Sequence, residues 1–73
     1  MKMEWINRNE KTPSRDGKYL ICGSHGITTG FWISEIGKFQ DAESNDNEGM
    51  TGWMGVKCTV SHWMELPECP RDL

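Results

Sequence analysis

The chain has 73 residues, 11 Asp and Glu against 8 Lys and Arg, a net charge of −3, and four Trp. That length excludes two domains. Only twelve residues are Leu, Ile, Val or Phe, so the four Trp must supply much of a thin core, each large aromatic burying about 150–250 Å².

Glu4-Trp5-Ile6 reads as a short strand or extended arm, followed by a polar loop that Pro13 and Asp16-Gly17 close as a turn. Lys18-Tyr19-Leu20-Ile21-Cys22 is an apolar run of strand formers, with Gly23 and Gly26 bracketing the next turn. Residues 27–34 are β-branched and aromatic and predict a second strand. Within it, Gly30 marks either a bulge or a close backbone approach. Glu35-Ile36-Gly37-Lys38 predicts a hairpin turn with Gly37 at positive φ, and Lys38-Phe39-Gln40 is the return strand. Residues 41–50 carry four acids, two Asn and one Ser, a composition that predicts a mobile surface loop. Residues 51–56 are too Gly-rich for any assignment. Residues 57–64 predict the last strand, with Cys58, Val60, His62 and Met64 on one face and Thr59, Ser61 and Trp63 on the other. Pro67 and Pro70 then forbid further ladder pairing and predict an extended, polyproline-like tail. The expected fold is mainly β, an antiparallel sheet of three to five strands with that Pro-containing C-terminal tail. A short helix in 7–12 or 42–50, giving a small α+β fold, is the alternative.

No stretch approaches the roughly 18 apolar residues of a membrane span. Met1-Lys2-Met3-Glu4-Trp5 lacks the apolar core of a secretory signal, so the expected location is cytoplasmic. Three Cys cannot form a complete disulfide framework, and reduced thiols are expected there. The eight bases are scattered along an acidic chain, which argues against nucleic acid as a partner. Self-association would add buried surface to a thin core, so a homodimer is a further expectation.

The chain resembles the family called domain of unknown function 551, short proteins and domains common in tailed phages and prophages. The family opens with Trp-Ile, reaches Pro eight positions after the Trp, and places a Gly turn before an aliphatic strand. Here those are Trp5, Ile6, Pro13, Gly17 and the strand Tyr19-Leu20-Ile21. A hairpin with an aromatic on each arm follows, matched by Phe31-Trp32 and Phe39. The family closes with Val-Thr-His-Trp-Met-Pro-Leu-Pro. This chain closes with Val60-Ser61-His62-Trp63-Met64-Glu65-Leu66-Pro67, the most specific part of the resemblance. Arg8, Thr12, Glu65 and Cys69 depart from the pattern. The resemblance implies a phage context, and hence the host cytoplasm, but no reaction.

Candidate chemistry is sparse. Cys22 and His25, with Cys58 and His62, have the ligand types of a zinc site. On a strand, however, Cys58 and His62 stand about 13 Å apart at about 3.3 Å per residue, too far for one ion. Cys22 and His62 on neighbouring strands could form a thiol–imidazole pair, yet no acid or oxyanion motif accompanies them. No catalytic residue, metal or cofactor is therefore expected. Asp41, Glu43, Asp46 and Glu48 lack EF-hand spacing; they read as solvated acids or as a contact surface for a basic partner. Trp53-Met54 and Trp63-Met64 put large groups on opposite strand faces. Trp32, Trp53 and Met54 are the candidate contact residues, since Trp and Met are enriched at interfaces. Trp5, Trp63 and Pro67 are expected to be structural, as is His62, buried with its ring nitrogens bonded to backbone. The expected function is non-catalytic binding of a host protein by a phage accessory protein, inhibiting a host defence or regulatory factor. The alternative is a module for a small ligand, a nucleotide or sugar.

Overall fold

Gly26 and Gly37 reverse the chain with φ of 79° and 65°, left-handed values that glycine adopts without a Cβ penalty. They join three strands into a meander. The computed structural model describes residues 4–66, apart from the side chain of Trp53. The strands are β1 (Ile6–Asn7), β2 (Gly17–Gly23), β3 (Gly26–Ile33), β4 (Lys38–Asp41) and β5 (Val60–Glu65). They form one antiparallel sheet in the order β1-β5-β2-β3-β4. A short 3₁₀ turn at Trp53–Gly55 is the only helical element among the described residues. The fold is therefore mainly β, and neither 7–12 nor 42–50 forms a helix. No helix among the described residues is long and apolar enough to cross a membrane.

Register partners share a sheet face. Ile6 and Ile21 both pair with Trp63, and Trp32 pairs with Phe39. With Tyr19 they build the core, whose buried members are Tyr19, Ile21, Trp32, Phe39 and Trp63. Its rings meet edge to face, Tyr19 against Trp63 at 5.2 Å and Trp32 against Phe39 at 4.9 Å, the arrangement their quadrupoles favour. The polar ends of two core aromatics hold the first loop across this face. Trp63 Nε1 donates to the carbonyl of Lys11 at 2.8 Å, and the Tyr19 hydroxyl donates to that of Arg15 at 2.8 Å.

Gly30 is a close-approach position, since β3 keeps continuous register with both neighbours. A Cβ there would stand 2.7 Å from Ile21 Cδ1 and 2.9 Å from the Gln40 carbonyl oxygen. The register irregularity falls instead in β2, at Cys22/Gly23.

The last strand starts at Val60, three residues later than the composition suggests. Lys57 and Cys58 are used elsewhere. Cys58 exchanges backbone bonds with residues 49 and 50, and Lys57 bridges Thr51. The pairing makes a small second hairpin over 49–58. Within β5 both Trp63 and Met64 are buried, so that strand is covered on both faces. On the face opposite the core, Leu20, Cys22 and His62 are half-buried, and Ile27 and Phe31 are exposed. The tail containing Pro67 and Pro70 lies outside the described residues.

Candidate functional site

The acidic segment is not the mobile surface loop its composition suggests. Its carboxylates do backbone work. Asp41 Oδ1 accepts the N–H groups of Glu43 and Ser44 at 2.8 and 3.0 Å, which bends the chain in an Asx turn. Residues 46–48 then run back along β4. Asp41 N donates to the Asp46 carbonyl at 2.8 Å, Glu48 N donates to that of Phe39 at 2.9 Å, and Gln40 bridges Asn47. Glu48 completes this edge with its side chain, accepting the Phe39 N–H at 2.8 Å and the Arg8 guanidinium at 3.1 Å. The arrangement covers a sheet edge that would otherwise offer unpaired backbone groups.

Four segments meet at one end of the sheet. The β2–β3 turn brings Ser24 and His25, β3 brings Thr28, the end of β4 brings Asp41, and the acidic segment brings Glu43, Ser44 and Asp46. His25 Nε2 lies 3.2 Å from Asp46 Oδ2, the two side chains being 8% and 11% exposed. His25 Nδ1 lies 3.1 Å from Ser24 Oγ. That hydroxyl accepts the Thr59 N–H at 2.8 Å, so its own proton is free for Nδ1. A ring protonated at Nε2 can donate there to Asp46. The Asp46 carboxylate lies over Gly52, in the space a Cβ would fill. Residue 52 needs to be glycine because a carboxylate sits there. A cavity of about 260 Å³ opens between His25, Thr28, Asp41, Glu43 and Ser44.

Beyond Gly52 the small hairpin projects an apolar tip. Met54 has φ 48° and ψ 30° and is 83% exposed. Gly55 follows at φ 74°, and Met50 and Val56 flank the tip, also exposed.

Several expected contact residues are placed otherwise. Trp32 is 6% exposed and lies in the core, with the Arg8 guanidinium 5.6 Å above its ring. Alternation on β3 faces it toward Phe39, so it cannot meet a partner. Asp41 and Asp46 are buried, held by the turn and by His25. Glu48 is half-buried against Arg8. Of the four acids only Glu43 is exposed. Met54 is exposed, and Trp53 precedes it in the chain with its side chain outside the described part. Trp63 is a core residue, whereas Trp5 is 39% exposed. His62 is half-buried, and its Nδ1 meets the Ser61 hydroxyl at 3.0 Å rather than a backbone group. Pro67 lies outside the described residues. Cys22 and His62 are register partners, but no hydrogen bond joins thiol and ring.

Cys58 is buried, and its thiol is pushed above the usual value by burial first, then by Asp41, Asp46 and Glu48. A thiol kept protonated is a poor nucleophile. Among the described residues, no three His, Cys, Asp or Glu side chains gather as a metal site would need. The elements of the cavity that the sequence concealed are Thr28, Ser44 and the role of His25. The Ser24-His25-Gly26 turn between two apolar runs was their only local signal.

The chain belongs to the family described as Protein of unknown function (DUF551), whose model matches residues 4–71. Searches of curated proteins and of solved structures return no significant match.

Proposed function

We propose that the protein is a phage or prophage accessory protein that acts in the host cytoplasm by binding a host protein without catalysis, inhibiting a defence or regulatory factor. The contact is made through the tip of the 49–58 hairpin. The observation that carries this reading is Met54. A left-handed backbone brings Cβ close to the following carbonyl, costing about 1–2 kcal/mol for a residue other than glycine. The Met54 side chain is 83% exposed, so little packing in the free protein offsets that cost. A flexible, polarisable thioether on such a tip suits insertion into an apolar pocket of another protein. Met50 and Val56 widen the same apolar surface.

Met54→Gly separates binding from folding. It relieves about 1–2 kcal/mol of strain and adds about 0.5–1 kcal/mol of chain entropy, so stability should hold or rise slightly. Wild type and Met54→Gly would each be used to capture host proteins, and any specific partner would be purified and titrated against both. Loss of most affinity with an unchanged thermal midpoint supports the reading. Equal affinity for the two proteins defeats it.

A further inference from the structure

We propose that the Met54 thioether is a reversible oxidation site, and that a peroxide, by converting it to the sulfoxide, disables the hairpin tip. This inference rests on the binding function proposed above and names the regulation of that same surface.

The described methionines form a steep series of exposure. Met54 is 83% exposed, Met50 48% and Met64 8%. A thioether has no proton to lose, so its reactivity follows access of the oxidant to sulfur. Met54 therefore reacts first, Met50 next and Met64 last. The described thiols are less available. Cys58 is buried, and burial pushes its thiol above the usual value, which keeps it in the unreactive protonated form. Cys22 is half-buried in β2. The reaction at Met54 is a two-electron oxygen transfer. A sulfur lone pair attacks one oxygen of hydrogen peroxide, the O–O bond breaks and an S–O bond forms. The transferred oxygen gives its proton to the departing hydroxide, which leaves as water. Sulfur is oxidised, the peroxide is reduced, and no further reagent is consumed.

Position decides what the added oxygen does. Met64 is buried and is the register partner of Leu20. A sulfoxide there would place a polar group in an apolar setting and weaken the fold. Met54 stands in water on the 3₁₀ turn at Trp53–Gly55, so the free protein hydrates the new oxygen and keeps its fold. The cost falls on the complex alone, because an apolar pocket that receives the sulfoxide must first strip its water. Oxidation at the tip is thus harmless to folding and costly to binding, which separates regulation from damage. The same exposure lets a methionine sulfoxide reductase reach the group and restore the thioether.

The first arm of the test needs no partner. The protein is treated with limiting hydrogen peroxide, digested and mapped by mass spectrometry, and the thermal midpoint of the Met54-oxidised form is recorded. Met54 sulfoxide should form at least about tenfold faster than Met64 sulfoxide, with the midpoint unchanged, and a sulfoxide reductase should return the original mass. In the second arm, treated and untreated samples are titrated against a partner captured by the wild type. Peroxide should weaken the wild type about tenfold, the scale of one buried polar group left unpaired, and the reductase should restore it. Met54→Leu has no sulfur at this position, so peroxide should not lower its affinity below that of its own untreated sample. Met54→Gln carries a polar group there permanently and should bind as weakly as the oxidised wild type. Met64 oxidising as fast as Met54, a lowered midpoint, or equal peroxide sensitivity of wild type and Met54→Leu would each overturn the proposal. Met54→Gly binding as tightly as wild type refutes the tip itself. A weakened Met54→Gly beside a peroxide-insensitive wild type refutes only the oxidation.

Discussion

Replacing Glu48 distinguishes an edge-covering carboxylate from a solvated acid. Its side chain and that of Arg8 are 13% and 21% exposed, and the carboxylate accepts both the Phe39 N–H at 2.8 Å and the guanidinium at 3.1 Å. Glu48→Ala removes a hydrogen bond to a charged group, worth about 1.5–3 kcal/mol, and leaves the Phe39 donor without its partner. The ion pair adds at most about 1 kcal/mol, since Arg8 remains partly solvated and keeps its bond to the Gly37 carbonyl. A loss near 3 kcal/mol follows. In a domain of this size each kcal/mol lowers the melting midpoint by about 4–8 °C, so the expected fall is about 12–24 °C. Glu48→Gln keeps a neutral acceptor for Phe39, worth about 1 kcal/mol, and should lose only about half as much. Urea titrations of both variants, with hydrogen exchange at the Phe39 amide, give the readout. A Glu48→Ala loss under about 1 kcal/mol, or unchanged protection of that amide, would refute the assignment and return Glu48 to the solvent.

Three more outcomes follow from the same contacts. Gly30→Ala places a Cβ 2.9 Å from the Gln40 carbonyl oxygen and 2.7 Å from Ile21 Cδ1; calorimetry should show a loss of about 1–3 kcal/mol, and a neutral result would mean that β3 and β4 can separate there. Trp63→Phe removes the donor to the Lys11 carbonyl and ring volume from the core; a loss of about 2–4 kcal/mol with faster proteolysis in residues 8–16 is expected, and intact loop protection would show that this bond does not hold the loop. Because the Cys58 thiol is raised above its usual 9.0, the protonated form is favoured by folding; its contribution is complete below the unfolded thiol's range and is lost as pH rises through the higher folded value. Urea midpoints should therefore fall from pH 8 toward pH 10, less steeply in Cys58→Ala, and identical slopes would exclude Cys58 as the cause.

The strands were legible where side chains and glycines speak locally. The runs at 18–22 and 27–34, the turn at Gly37 and the return at Phe39 all follow from β-branched and aromatic content with a left-handed glycine between them. Residues 41–48 were misread because composition reports polarity and not the partner that satisfies it. The same carboxylate prefers water in one context and a backbone N–H in another, and only the fold places Phe39 N beside Glu48. Cys58 was assigned to β5 for a similar reason: alternation allows residues 57–59 to extend the strand, but Gly49 and Met50 capture Cys58 through their backbone. Trp32 was expected to be available to a partner, although the Phe39 opposite it on β4 already closes its face.

The acidic segment thus divides its charges between two tasks. Glu48 and the Oδ1 of Asp41 are consumed by backbone donors, which is why the segment can lie against β4 at all. Asp46 is consumed by His25 and stacked on Gly52, which ties the base of the small hairpin to the β2–β3 turn. What remains after that accounting is one exposed carboxylate, Glu43, which lines the cavity with His25, Thr28, Asp41 and Ser44. Stability alone does not require that exposed carboxylate. Nor does it require a thioether at Met54, where a glycine would sit with less strain. The tip is tied to the β2–β3 turn through Asp46 and Gly52, and a partner offering an apolar pocket to it would use what folding leaves over.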